Sequence, residues 1–209
     1  MFAVLASRQE DGIELDVLVY RFKIAMLGAS SAIVGGGIGE RHWAFNAQVS
    51  SNYGREDVTA HVGELARSLA LEGDGVGMLT AAKVRRRERA SVDGVDVEST
   101  VGLSHPTWAA SDDVEPTTRV GTINTVIFVP VRLSDGALVN AIASATEAKS
   151  QALFDARIPA TGTASDAVSL FCPLGCDIER FAGPRSLWGA RIARATHQAV
   201  LSGAKSWGT

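Results

Sequence analysis

Apolar and polar residues alternate loosely over residues 13–22. Ile13, Leu15, Val17 and Val19 fall on every second position and Tyr20 follows, a period of two that predicts a strand. The same period returns over residues 42–50 through Trp43, Phe45, Ala47 and Val49. The spacing then turns helical over residues 57–71, where Val58, Val62, Leu65, Ala66 and Leu69 form one stripe. Residues 75–84 and 92–103 predict strands, and 112–118 a polar loop. Residues 122–129 end in a continuous apolar stretch, which predicts a central strand closed by Pro130. A long helix is predicted over 136–157, a strand-like end over 167–171 and a closing helix over 185–204. Strands come in groups between widely spaced helices. That arrangement predicts an α/β (α+β) fold: one layered sandwich over residues 1–209, with a mixed, largely antiparallel sheet and flanking helices rather than a regular βαβ wind.

Composition narrows the picture without changing it. A chain of 209 residues can bury a full core unaided, and its 46% hydrophobic and 21% charged residues are an ordinary globular balance. Lys and Arg number 20 against 23 Asp and Glu, a net charge of −3, which argues against a dedicated nucleic-acid binder. Two cysteines are too few for a disulfide scaffold. The first ten residues carry no basic leader, and the longest apolar run, residues 32–39, is far short of the roughly 20 residues of a membrane helix. A soluble, cytoplasmic protein with no membrane partner is expected.

Several features are candidates for chemistry. The cluster Gly35-Gly36-Gly37-Ile38-Gly39 misses the G-x-G-x-x-G register and precedes a strand, so a tight turn or a close backbone approach is expected instead of a dinucleotide loop. Cys172 and Cys176 lack matching zinc partners, because His42, His61, His105 and His197 are scattered. The basic run Lys83, Arg85, Arg86, Arg87 and Arg89 fits a solvated edge, with an anion site as the alternative. On the long helix, Leu138, Ile142, Ala145 and Ala152 share one face, and Lys149 falls in its middle. Such a lysine either snorkels at a rim or is buried with a partner. Glu147 falls nearly opposite and Thr146 at the edge, so Glu147 and Lys149 cannot both enter one pocket from a regular helix. Two loops, 120–124 and 160–166, combine glycine and hydroxyls with one Asn or Asp each, as a turn or a polar pocket would.

Four segments together carry a family resemblance. They are Gly35-Gly36-Gly37 leading to Phe45-Asn46 and Asn52-Tyr53; Gly121-Thr122-Ile123-Asn124; Thr146-Glu147-Ala148-Lys149; and Ala160-Thr161-Gly162-Thr163 with Ser165-Asp166. In this order and spacing the chain resembles the adenosylcobinamide amidohydrolase (CbiZ) family over residues 31–190, with His105 departing from the amide side chain expected there. The resemblance implies cleavage of the amide joining aminopropanol to the corrin side chain, giving adenosylcobyric acid for cobalamin salvage. The corrinoid is then the substrate, with no separate cofactor and no metal. For such a reaction Glu147 or Asp166 would activate water, and Lys149 would donate a proton or stabilise charge. Asn124 and the N–H groups of residues 161–163 would hold the oxyanion, and Asn46 and Tyr53 would orient the substrate amides. Thr122, Thr146, Thr161 and Thr163 complete the expected substrate-binding set. Two other readings stand beside this one: a hydrolase activated by self-cleavage before Thr122 or Thr163, and a corrinoid carrier or sensor without turnover. Leu187, Trp188, Ile192 and Val200 on the last helix could pack within the chain or against a second copy.

Overall fold

The computed structural model describes residues 1–112 and 121–207. In chain order these form β1 (Val4–Glu10), β2 (Ile13–Ser30), β3 (Gly37–Gln48), α1 (Val58–Ser68), β4 (Gly75–Thr80), a 3-10 turn (Val84–Arg86), β5 (Glu88–Val92) and β6 (Val95–Val101). There follow β7 (Pro106–Thr107), β8 (Ile123–Phe128), β9 (Arg132–Leu133), α2 (Asp135–Asp155), β10 (Gly162–Thr163), β11 (Ala167–Pro173), β12 (Ile178–Glu179) and α3 (Leu187–Ser206). Most of the loop expected at residues 112–118 lies outside the described residues.

The main sheet runs β4-β3-β2-β11-β8-β6-β5, with β1 also on β2. Only β3·β4 and β11·β8 are parallel, so the sheet is mixed and largely antiparallel, as the grouping of strands suggested. β2 and β3 make one long ribbon whose register shifts between Arg21 and Met26. The shift bends the ribbon. Its first half carries β1 and β4, and its second half meets β11.

The bend turns one sheet face inward on itself. Leu18, Tyr20, Val76, Met78, Val126, Phe128 and Phe171, drawn from both halves, form a core there. The opposite faces of the same strands are covered by helices. Val17, Val19, Trp43 and Phe45 pack under Val62, Leu65 and Ala66 of α1. Val97, Ile127 and Leu170 pack under Leu138, Ala141 and Ala145 of α2 and Ile192 and Ala195 of α3. Strands buried on both faces explain why the alternation in residues 13–22 is loose and why β8 reads as continuous apolar sequence. The two long helices start at serine caps, Ser134 Oγ accepting from Ala137 N at 3.2 Å and Ser186 Oγ from Gly189 N at 3.1 Å.

Two sequence features resolve as architecture. Gly35 sits at φ +73°, and a side chain there would collide with the Gly75 carbonyl, so the glycine cluster is a turn pressed against β4. The basic run is largely an exposed edge, as expected, with three of its residues in ion pairs. Arg85 pairs with Asp16, and Arg87 and Arg89 hold the buried Glu98 at 2.9 and 3.3 Å. Burial pushes the Glu98 carboxyl above its usual range, whereas the Arg85 guanidinium holds Asp16 below the usual 3.8. A depressed folded value means that the stability Asp16 adds is complete above its ordinary value and is lost as pH falls through the folded one. Asp16→Asn is therefore expected to lower the melting temperature at pH 7 and to narrow its gap from the parent as the pH approaches 3; an unchanged gap would remove Asp16 from the acid response.

Candidate active site

The bend leaves a cleft of about 470 Å³ at the seam between the two halves of the sheet. One wall is Ser31, Ala32 and Ile33 after β2, with Val49 to Tyr53 after β3 and Gly77 to Ala81 at the end of β4. The other is Thr122 and Asn124 at the start of β8, and Ala164 to Ala167 leading into β11. Two predicted turns, at 120–124 and 160–166, thus become neighbours because β8 and β11 are parallel and in register, Asn124 opposite Ala167.

Asp166 organises its wall. Its Oδ1 accepts from Ile123 N at 2.8 Å and from Thr163 Oγ1 at 2.5 Å. Its Oδ2 accepts from Thr163 N at 3.0 Å and pairs with Lys149 Nζ. Lys149 arrives from the buried face of α2, and both side chains of the pair are about nine-tenths buried (9% and 10% exposed). The lysine on the apolar face is therefore buried with a partner. It does not line the cleft, so it acts through Asp166. Gly162 lies against this pair; a Cβ there would overlap both the carboxylate and the ammonium.

Asn124 lines the floor, and Asn46 lies buried behind it, outside the cleft lining where the sequence suggested a substrate contact. Asn124 donates to Asn46 Oδ1 at 2.9 Å and to Leu79 O at 3.0 Å, and Asn46 donates to Thr100 Oγ1 at 2.8 Å. These bonds tie β8 and β6 to β3 and β4 across the seam. Both amide protons of Asn124 are engaged, so toward a substrate it presents an acceptor, where the sequence suggested an oxyanion donor. The N–H groups of Thr161 and Thr163 are likewise taken, by Thr107 O at 3.0 Å and by Asp166. Thr161 Oγ1 accepts from Ala109 N, and Thr163 Oγ1 also approaches Gly121 O at 2.7 Å. These threonines hold the loop itself. The hydroxyls on this wall of the cleft are Thr122 and Ser165, 2.8 Å apart, and the facing wall adds those of Ser31, Ser50, Ser51, Tyr53 and Thr80.

The structure does not bring every candidate here. Glu147 is exposed and lines a separate groove between α2 and α3, with Gln151, Arg194 and His197. Thr146 is exposed and its hydroxyl bonds to Ile142 O at 2.9 Å within its own helix. Helical geometry places both away from Lys149, as their angular positions implied. Cys172 is buried in the core and Cys176 is exposed; both are free thiols.

Tyr53 does reach the cleft, and it brings partners that sequence reasoning missed. Its hydroxyl lies 2.9 Å from His61 Nδ1, and the rings stack with centroids 5.4 Å apart. His61 is 2% exposed, and its Nε2 faces Glu10 Oε1 at 3.4 Å. Burial raises the Tyr53 phenol above its ordinary value of 10.0. One signal was available: His61 shares the apolar stripe of α1 with Val58 and Leu65. Nothing local pointed to Glu10, which arrives through the pairing of β1 with β2.

Comparison with known proteins gives a consistent picture. The family profile "CbiZ, adenosylcobinamide amidohydrolase" matches residues 3–209. A Methanosarcina mazei protein named adenosylcobinamide amidohydrolase is 31% identical over 140 residues, 67% of this chain and 66% of that one. A Halobacterium salinarum protein of the same name is 31% identical over 141 residues, 65% of this chain and 61% of that one. The matched stretch is thus just under two thirds of either relative's length. A solved structure, the PH0078 protein from Pyrococcus horikoshii, covers 97% of this chain and 82% of its own at 10% identity and a TM-score of 0.48. No helix among the described residues is long and apolar enough to cross a membrane.

Proposed function

The chain belongs to the adenosylcobinamide amidohydrolase family, and from that membership we propose that it hydrolyses the amide between aminopropanol and the corrin side chain of adenosylcobinamide, releasing adenosylcobyric acid. The observation that carries this reading is the convergence of Tyr53, Thr122, Asn124 and Asp166 on one cleft from three of the segments that hold the resemblance. The cleft is smaller than a corrinoid, so the side-chain arm enters and the ring stays at the mouth. Ile33, 75% exposed on the rim, offers that ring an apolar surface.

Within the cleft the chemistry divides among few groups. The acceptor of Asn124 takes the N–H of the scissile amide, which orients its carbonyl. The Thr122 and Ser165 hydroxyls lie on the wall where a carbonyl oxygen gathers charge. Asp166, with both oxygens saturated by donors, fixes the strand starts that carry Asn124 and Ser165 and leaves water activation to another group. Lys149 holds the Asp166 carboxylate in place. The site needs no bound cofactor for this reaction, the corrinoid being its substrate, and the protein acts without nucleic acid in the cytoplasm.

The test is incubation of the purified protein with adenosylcobinamide, followed by mass-resolved chromatography. The free corrinoid acid and aminopropanol are expected. Co-elution of unchanged substrate would instead support a carrier or sensor, and neither outcome would leave a likeness of sequence alone. An intact mass of 21.9 kDa after turnover would exclude self-cleavage. Glu147→Gln is expected to retain turnover within about twofold, because its side chain faces another groove; loss of activity would return Glu147 to the catalytic set.

A further inference from the structure

With Asp166 saturated and Glu147 elsewhere, Tyr53 is the cleft residue whose hydroxyl meets a buried imidazole, that of His61. We infer that Tyr53, His61 and Glu10 form a relay that carries the proton of the attacking water to the departing amine, with Tyr53 as the group that meets the substrate. The inference rests on the amide-hydrolase reading above and assigns that site its acid and base.

The geometry sets the direction of each bond. His61 is buried between two partners from different elements, Tyr53 in the loop before α1 and Glu10 at the end of β1. The Nε2 side faces a carboxylate at 3.4 Å, so the proton of the neutral ring sits on Nε2 and Nδ1 keeps its lone pair. That lone pair accepts from the Tyr53 hydroxyl at 2.9 Å. Tyr53 lines the cleft, and a hydroxyl that donates keeps its own lone pairs free to accept. Glu10 is in turn held by Arg8, which also donates to Gln48 O at 2.8 Å and so fixes β1 to the end of β3. The other charged groups around His61 are Arg55 and Asp57 from the preceding loop and Glu64 from α1, and Arg55 pairs with both carboxylates on the surface.

The proton inventory closes. As water attacks the carbonyl carbon, its proton passes to the Tyr53 oxygen while the Tyr53 proton passes to His61 Nδ1. The resulting imidazolium is stabilised by the Glu10 carboxylate. When the C–N bond breaks, the imidazolium returns its proton to Tyr53 and Tyr53 delivers one to the amine nitrogen. A C–O and an N–H bond form, a C–N and an O–H bond break, and the relay ends as it began. Positioned proton transfer of this kind typically contributes about 10²- to 10⁴-fold to rate. Tyr53 is the catalytic residue; His61 and Glu10 act through it.

Tyr53→Phe removes one oxygen from a half-buried ring and is expected to preserve the melting temperature. Its kcat on adenosylcobinamide should fall at least about 100-fold with KM within about threefold. Glu10→Gln should lower kcat about tenfold with KM within about threefold, because the imidazolium formed in the transition state loses its counter-charge. A Tyr53→Phe enzyme with kcat within threefold of the parent overturns the relay, as does a rise in KM alone, which would make Tyr53 a binding residue. A second readout is independent of turnover. Nitrogen-15 spectra of the His61 ring, assigned by their loss in His61→Gln, should show the Nε2-protonated neutral form at pH 8. The Nδ1-protonated form would overturn the relay even if the protein hydrolyses nothing, whereas absent turnover in the parent with the Nε2-protonated form would overturn only the substrate.

Discussion

Asp166→Asn is expected to give the largest loss at the site, in stability as well as in turnover. The substitution removes the charge that Lys149 faces while keeping the side chain's volume. A buried cation without its counter-ion costs about 3–5 kcal/mol. For a chain of this size that corresponds to a melting temperature lower by about 10 °C. The amide also places an NH2 group among the donors of Ile123, Thr163 and Lys149, so one contact turns repulsive. The starts of β8 and β11 then separate, and with them Asn124 and Ser165. Lys149→Met alone should cost less, because Ile123 and Thr163 still hold the carboxylate. Adding Lys149→Met to Asp166→Asn should recover part of the loss, since no cation is left buried. Urea unfolding of the four proteins completes the cycle. A stability for Asp166→Asn within 1 kcal/mol of the parent would mean that water reaches the pair, and the organising role given to Asp166 would fall.

Phe171→Ala should do comparable damage with no charge involved. Phe171 is 0% exposed and sits on β11 at the middle of the inward face, its ring 4.9 Å from Phe22 and 5.6 Å from Phe128. Truncating a buried phenylalanine costs about 3–5 kcal/mol, set by how far the surroundings collapse into the hole. Collapse is restricted on one side because Phe128 belongs to β8, which is paired along both edges. Phe154→Ala, at a position 76% exposed on α2, is the matched control and should change stability by less than about 0.5 kcal/mol. Equal effects of the two substitutions would show that the inward face is not the core that holds the halves together.

The sequence carried the long elements well and their mutual arrangement poorly. Alternation and helical stripes located β3, β8 and the three helices, because each buries at least one face whose periodicity survives in the residue pattern. Strands β1 and β5 escaped notice. Both are half-exposed, and β5 opens on two adjacent charges followed by Ala90 and Ser91, so neither has an apolar period to read. At the site, the buried Lys149 was legible from its angular position on a helix, since a local repeat fixes it. The engaged N–H group of Thr161 was not, because it depends on β7 pairing with β10 across more than fifty residues. For the same reason Glu10 could not be joined to His61 and Tyr53, whose meeting depends on long-range strand pairing. Local periodicity fixes which face of an element is buried, and only the assembled sheet decides which elements share a cleft.

β11 also has a consequence for how the chain is made. The main-sheet strands within residues 4–80 pair among themselves, as do those within 88–128, and β11 at residues 167–173 is the strand that joins the two groups. On the ribosome, each group therefore exposes an unpaired strand edge until the joining strand emerges. At about 5–20 residues per second, the roughly forty residues between the end of β8 and β11 take several seconds to appear. During that interval the second half of β2 and the free side of β8 are open templates for another chain. Crowded expression should then favour aggregates nucleated on these two edges, and slower initiation, which spaces nascent chains apart, should raise the yield of folded protein.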